Sequence, residues 1–105
     1  MHIEVSTDNS IDGSEALTNL IKGLVQHELA YLDEHLTRIE VHLSDARTGT
    51  TGQKDKHCMI EGRLKGRQPA VAKHAAATLE QAAKGAADKL KSSLESTLGK
   101  LSDGR

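Results

Sequence analysis

Six histidines and one cysteine are the residues of this chain that could hold a metal ion or act as a nucleophile. His27 and Glu28 begin like the helical motif of zinc proteases, in which two histidines lie four positions apart on one helix face. The second histidine would have to stand at position 31, which is Tyr31, so the motif is absent. Four histidines fall on neighbouring predicted strands, where such residues are more often surface residues than metal ligands: His2, His42, His57 and His74.

The chain also lacks the residue patterns needed for nucleophilic catalysis and for a phosphate-binding loop. Cys58 occupies an inward position of a predicted strand, where a thiol usually packs as a small hydrophobic side chain. The motifs Gly49-x-x-Gly52 and Gly62-x-x-x-Gly66 lack the Gly-Lys-Ser/Thr ending of a phosphate loop. No serine lies in a nucleophile elbow. We therefore expect a protein that is not an enzyme and that has no cofactor, metal site or small-molecule substrate.

Basic residues are concentrated in one part of the chain. The formal net charge is −1, but residues 1–53 carry three basic against nine acidic side chains, whereas residues 54–74 carry six basic against two acidic ones. Because salt screens charges beyond ~8–10 Å, this local excess predicts a surface that faces phosphates. The alternative is a solvated hairpin with surface lysines. Tyr31 is the only residue among Phe, Trp and Tyr, which argues against RNA recognition by stacking on aromatic rings.

The strands that carry these residues follow from alternating hydrophobicity. Residues 2–6, 37–44 and 56–65 alternate polar and apolar side chains and are each predicted to form a strand. Residues 70–76 are predicted to form a further strand, but its alanines do not indicate which of its faces points inward. The inward residues of the third strand are Cys58, Ile60 and Leu64, and its outward residues are His57, Met59, Glu61 and Arg63.

Apolar residues at helical spacing predict two helices. The first runs from Ser14 to about Glu34, with Asp12 or Ser14 as its N-cap. The second begins at the capping box Thr78-Leu79-Glu80-Gln81 and ends near Leu101. The residues predicted to be buried on the first helix are Leu17, Leu20, Ile21, Leu24, Val25, Leu29 and Leu32. Those on the second are Leu79, Ala83, Ala86, Leu90, Leu94 and Leu101.

A chain of 105 residues fits a single domain, residues 1–105, with a thin core. The order β-α-β-β-β-α predicts an α+β fold in which one sheet carries two helices on one face. Residues 45–55 have no apolar period and are predicted to be a mobile loop, and residues 102–105 a short disordered tail. No apolar run could span a bilayer, the start does not resemble a signal peptide, and one cysteine fits a reducing cytosol. We therefore expect a cytoplasmic protein that does not contact a membrane.

Several short runs resemble those of one protein family. They are the helix start Ser14-Glu15-Ala16-Leu17, the helix exit His35-Leu36-Thr37-Arg38-Ile39, the hairpin Cys58-Met59-Ile60-Glu61-Gly62-Arg63 and the helix segment Gly85-Ala86-Ala87-Asp88-Lys89-Leu90-Lys91. With the element order, they resemble the ribosome hibernation promoting factor family, also called sigma-54 modulation or ribosome-associated inhibitor proteins. This resemblance implies a four-stranded mixed sheet with both helices on one side, similar to a double-stranded RNA-binding domain. It also implies the short form of the family, which lacks the additional C-terminal domain of long members.

The resemblance further implies a function. Members of this bacterial family bind the small ribosomal subunit in the channel for messenger and transfer RNA, and they hold ribosomes inactive in stationary phase or stress. For this chain it implies a non-catalytic translation inhibitor that contacts ribosomal RNA phosphates through Lys and Arg, with little base readout. The residues that would make these contacts are Arg63, Lys65, Arg67, Lys84, Lys89 and Lys91. They would form a cationic ridge near the third strand and the last helix.

The chain also departs from the family, because its helices carry fewer basic residues. The spacing of Lys84, Asp88 and Lys91 allows Asp88 to pair with either lysine on a solvated helix face. These departures support an alternative, in which a divergent member acts as a protein–protein interaction module, through its sheet or its acidic first helix, with weak or no ribosome binding. The expected state is a monomer, although an exposed edge strand could pair two copies.

Overall fold

The computed structural model describes residues 1–8, 13–48 and 53–103. Period-two alternation produces the strands and apolar residues at helical spacing produce the helices, as the sequence predicts. The strands are β1 (His2–Thr7), β2 (Leu36–Thr48), β3 (Gln53–Leu64) and β4 (Pro69–Ala76). The helices are α1 (Glu15–Leu29), which continues as a 3₁₀ helix (Ala30–His35), and α2 (Leu79–Asp103).

The four strands form one mixed sheet in the order β1-β2-β3-β4. β1 runs parallel to β2, and the other neighbouring strands are antiparallel. The register places Val41 opposite Ile60 and Ile60 opposite Ala72, and all three are buried. These residues define the inner face of the sheet, on which the helices pack, and the alternate residues define its outer face. The predicted α+β architecture is confirmed.

Helix α1 packs on the inner face through Ile21, Val25 and Leu29, which are fully buried. Their spacing of four residues keeps them on one side of the helix. Leu20 was expected among them, but 48% of its surface is exposed, because it lies one residue, about 100° of rotation, away from that series. The N-cap of the helix is Ser14, whose Oγ accepts a hydrogen bond from the Leu17 amide at 3.1 Å.

Helix α2 approaches the sheet closely because its buried face is rich in alanine. Ala82, Ala83, Ala86, Ala87, Leu90 and Leu94 are buried. A Cβ placed on Gly62 of β3 would lie 2.9 Å from Ile39 Cδ1 and 3.1 Å from Leu90 Cδ2, so any side chain at this position would force these neighbours to shift. The N-cap is Thr78, as predicted, since its Oγ1 accepts a hydrogen bond from the Gln81 amide at 3.1 Å.

The prediction of a loop over residues 45–55 is wrong at both of its ends. β2 continues to Thr48 and β3 begins at Gln53, with Asp45 opposite Lys56 in an ion-paired register. A two-stranded ribbon satisfies its backbone hydrogen bonds without a buried face, so it needs no apolar period. The first helix also changes to 3₁₀ geometry at Ala30, before its predicted end. Residues 49–52 and 104–105 and the side chain of Leu101 lie outside the described residues.

Candidate nucleic-acid interface

The turn between β3 and β4 presents three basic side chains. Gly66 has a φ of +74°, a left-handed conformation that glycine adopts without a steric penalty. The Arg67 amide donates a hydrogen bond of 3.0 Å to the Leu64 carbonyl and so closes the turn. Arg63, Lys65 and Arg67 are all exposed, and we call these three residues the basic turn.

Two further hydrogen bonds hold the basic turn in place. Arg63 Nε donates to the carbonyl of Arg67 at 2.8 Å, which folds the guanidinium back over the turn. The Lys65 amide donates to the carbonyl of His35 at 3.0 Å, which attaches the turn to the end of the 3₁₀ helix. A backbone fixed in this way presents its cations with less conformational entropy to lose on binding.

No carboxylate of the described residues neutralises the charges of the basic turn. Within residues 1–8, 13–48 and 53–103, none of its three side chains forms an ion pair. Arg38, which lies opposite Arg63 in the β2–β3 register, differs in this respect. Its Nη2 lies 2.8 Å from Glu4 Oε2 and 3.3 Å from Glu40 Oε1. The basic turn is therefore free to contact phosphates, whereas the charge of Arg38 is already compensated.

Two of the predicted basic residues, Lys84 and Lys91, lie on the side of α2 that faces α1. Lys91 Nζ lies 3.6 Å from Glu28 Oε2 of α1, and Lys84 is exposed. Asp88 forms no ion pair with either lysine in the described part of the chain. The alternative in which Asp88 pairs with a lysine of its own helix is therefore not seen there, and Lys91 instead pairs with a carboxylate of the other helix.

Lys89 lies elsewhere, because two helical positions separate it from Lys91 by about 200° of rotation. Its Nζ donates a hydrogen bond of 3.0 Å to the carbonyl of Lys73 in β4. The six predicted residues therefore occupy three separate places rather than one ridge: the basic turn, the α1-facing side of α2, and the β4 edge.

A row of carboxylates crosses the outer face of the sheet. Glu4, Glu40 and Glu61 are direct neighbours on β1, β2 and β3. The hydrogen bond from His2 and the charge of Arg38 hold the pKa of the Glu4 carboxyl below its ordinary value. Like charges directly opposite one another repel, and they also repel phosphates, so the middle of this face does not suit RNA.

An open groove of about 570 Å³ lies beside this carboxylate row, towards the end of the sheet that is opposite the basic turn. Ser6, His42, Met59 and Lys73 line it in one row across the four strands. We call it the sheet groove. Lys73 was absent from the predicted interface. The alanines of β4 obscure the alternation of polar and apolar residues, so the sequence does not indicate which side chains of this strand point outward. The register to Met59 is what places its side chain on the outer face.

The structure also locates the residues considered for catalysis. Cys58 is buried, and burial raises the pKa of its thiol to about 12, so the nucleophilic thiolate does not form near neutral pH. His27 is exposed on α1. Among the described residues, no three or more His, Cys, Asp and Glu side chains are grouped so that they could hold a metal ion. No helix in the described ranges is both long and apolar enough for a membrane span.

Comparisons with known proteins connect this arrangement to one group. A sequence profile described as sigma 54 modulation protein / S30EA ribosomal protein matches residues 3–102. A ribosomal subunit interface protein from Coxiella burnetii has a similar structure, with a TM-score of 0.72 at 17% sequence identity over 94% of this chain and 99% of that one. The N-terminal domain of Protein Y from Thermus thermophilus gives a TM-score of 0.67 at 20% identity, over 92% of this chain and 99% of that one. No curated protein sequence gives a significant match.

Proposed function

Because the chain belongs to the sigma 54 modulation protein / S30EA ribosomal protein family, we propose that it binds the small ribosomal subunit and inhibits translation without catalysing a reaction. The name of the Coxiella burnetii relative, a ribosomal subunit interface protein, supports a ribosomal partner. In this proposal the folded domain contacts ribosomal RNA and blocks the sites of messenger and transfer RNA under stress. The protein then acts in the cytoplasm, where its partner is.

The observation that carries this proposal is the state of the basic turn. Arg63, Lys65 and Arg67 are exposed, are held by hydrogen bonds within the turn and to the 3₁₀ helix, and have no carboxylate partner among the described residues. Cations in this state release the counterions of RNA phosphates when they bind, which favours association in a salt-dependent way. The basic turn is therefore the centre of the proposed contact.

The other predicted residues contribute less in this proposal. Lys84 is exposed and can add a phosphate contact at a distance from the turn. Lys91 is engaged by Glu28 and would have to give up that contact. Lys89 shares one of its three N–H groups with the Lys73 carbonyl, which leaves two for a phosphate.

Cosedimentation of the purified protein with small ribosomal subunits, at several salt concentrations, tests the proposal. Bound protein should fall steeply as salt rises, and the slope of log K against log salt reports the number of phosphates neutralised. The triple variant Arg63→Glu, Lys65→Glu, Arg67→Glu should lose at least roughly tenfold in affinity. Association that does not respond to salt, or no association at low salt, would contradict the proposal.

A matched pair of single variants separates the basic turn from general charge. Lys65→Glu and Lys22→Glu change the net charge equally, and both lysines are exposed. Lys65→Glu should weaken cosedimentation more than Lys22→Glu does. Equal effects would show that the ribosome attracts the whole molecule rather than the basic turn.

The carboxylate row on the outer face favours a second candidate, a protein–protein interaction module. Glu4, Glu40 and Glu61 form an anionic stripe that suits a basic protein segment better than RNA. This function predicts a partner that is retained in a pull-down after nuclease treatment and is released as salt rises, because the contact is electrostatic. Loss of the partner on nuclease treatment alone would favour the RNA-binding function instead.

A further inference from the structure

The sheet groove has the size and the polar groups of a small-ligand site. Its volume of about 570 Å³ falls within the range of about 300–1,000 Å³ that is usual for such sites. It is open on one side and lies at the opposite end of the sheet from the basic turn. Arg63 and Met59 are four residues apart in β3, which corresponds to about 13 Å along the strand.

Two lysines, Lys73 and Lys89, line the β4 side of the groove. Lys73 lies on the outer face and is exposed, and Lys89 reaches the same strand to bind the Lys73 carbonyl at 3.0 Å. Neither lysine forms an ion pair within the described residues. On the opposite side of the groove, next to β1, Asp8 contributes to the lining. This aspartate already interacts with another group of the protein. The groove is therefore polarised, with its positive end at β4.

The middle of the groove is lined by imidazole rings and a thioether rather than by lysine or carboxylate side chains. His42 and Met59 are neighbours in the β2–β3 register, and His57 lies two residues before Met59 on the same outer face. Histidine is one of the side chains on which unpaired nucleobases stack. Among the described residues, His57 Nε2 is buried and has no hydrogen-bond partner, whereas most buried polar atoms in native structures have one. Ser6 and Ser44 add hydroxyl groups to the lining.

We propose that the sheet groove binds a ribonucleotide, with its phosphate at Lys73 and Lys89 and its base over Met59 and the imidazoles of His42 and His57. The ligand is either a free nucleotide or an unpaired nucleotide of RNA, since both offer a phosphate next to an exposed base. The carboxylate row separates this site from the basic turn, so one RNA backbone cannot run over the outer face from one to the other without repulsion. The site is independent of ribosome binding by the basic turn.

Amide chemical shifts of the isotopically labelled full chain test this inference. Adenosine 5′-monophosphate should give saturable shifts at Ser6, His42, Met59 and Lys73. Inorganic phosphate and adenosine, titrated separately, should bind more weakly than the nucleotide, because each engages only one end of the groove. A single-stranded oligoadenylate tests the other source of the same chemistry: shifts at these amides with the oligomer alone assign the groove to RNA, and shifts with the mononucleotide assign it to a free ligand.

Two lysine variants provide the matched control. Lys73→Gln should weaken nucleotide binding by about tenfold or more, because it removes a charge-assisted contact, and Lys22→Gln should leave it unchanged. The inference is overturned if neither nucleotide nor oligomer shifts the groove amides up to roughly millimolar concentration. It is also overturned if the shifts concentrate at the basic turn, or if Lys22→Gln has the same effect as Lys73→Gln. Cosedimentation of Lys73→Gln with small subunits is measured in parallel. This measurement distinguishes a failure of nucleotide binding at the sheet groove from a failure of ribosome binding at the basic turn.

Discussion

Lys91 of α2 and Glu28 of α1 form an ion pair between the two helices, with Nζ and Oε2 3.6 Å apart. The side chains are only 32% and 20% exposed, so the contact lies in the boundary between the helices and not on an open surface. A second polar contact lies one turn further along, where desolvation and a hydrogen bond with Glu95 raise the pKa of Tyr31 to about 12. Lys91 therefore helps to join the helices, although the family resemblance suggests an RNA contact.

Lys91→Ala should leave ribosome cosedimentation nearly unchanged and lower the free energy of unfolding by less than about 1 kcal/mol, as is usual for an ion pair near the surface. Urea denaturation measures the stability. Glu28→Gln should instead strengthen cosedimentation, since it releases Lys91 for a phosphate. A loss of cosedimentation in Lys91→Ala as large as that in Lys65→Glu would show that Lys91 contacts RNA directly.

Gly85→Ala should destabilise the protein by about 1–3 kcal/mol, the usual cost of overpacking. A Cβ at Gly85 would lie 2.5 Å from both Cγ and Nε2 of the His74 ring, so the ring would have to move. Gly99→Ala is the control in the same helix, because no atom of the described part of the chain lies within 4 Å of its added Cβ. That variant should stabilise the protein by ~0.5–1 kcal/mol, since alanine favours a helix over glycine.

A second variant tests whether His74 is the cause. In a His74→Ala background the obstruction is gone, so Gly85→Ala should become stabilising, like Gly99→Ala. Thermal or urea unfolding of the four variants gives the coupling energy. A destabilising effect of Gly85→Ala that persists without the imidazole would refute the assigned contact.

Gly66→Ala should destabilise the protein by ~1–2 kcal/mol, because a φ of +74° is unfavourable for a residue with a Cβ. Gly66→Asn should cost less, since asparagine tolerates this conformation better than other residues with side chains. In cosedimentation, Gly66→Ala should likewise weaken ribosome binding more than Gly66→Asn does, because the turn orients Lys65 and Arg67. Equal unfolding free energies for the two variants would mean that the turn has another conformation in solution.

Cys58 should make the native protein less stable in alkali. Burial raises the pKa of its thiol from 9.0 to about 12, so between these values the unfolded chain loses a proton that the folded chain keeps. The unfolded state then binds fewer protons, and stability falls as pH rises through this window and is fully present below it. Urea unfolding from pH 8 to 11 should show a steeper decline for the natural chain than for Cys58→Ala. Tyr31→Phe is the parallel control, because the raised pKa of Tyr31 acts in the same direction.

The sequence predicted the fold well because each element carries its own local signal. Alternation placed Val41 and Ile60 on the inner face, and Ser14 and Thr78 cap the helices as their side chains suggested. The ends of the β2–β3 ribbon were missed since backbone pairing leaves no hydrophobic pattern to find. The exposure of Leu20 was missed because an apolar residue beside a helical series looks like part of it.

The candidate site was harder to predict, because it depends on which elements meet. The basic turn could be found from the sequence, since Arg63, Lys65 and Arg67 fall within five consecutive residues. The separation of Lys89 from Lys91 could also have been found, because positions two apart never share a helix face. The engagement of Lys91 by Glu28 could not, since it depends on how α1 and α2 pack.

The hydrogen bond from Lys89 to the Lys73 carbonyl has a consequence for molecular association. β4 is the last strand of the sheet, and the backbone groups along such a margin can recruit a strand from another molecule. An ammonium group already occupies one of these carbonyls, so an incoming strand would have to displace a cation and lose a hydrogen bond at that position. The same lysine that borders the groove thus disfavours the pairing of another strand at this position of β4.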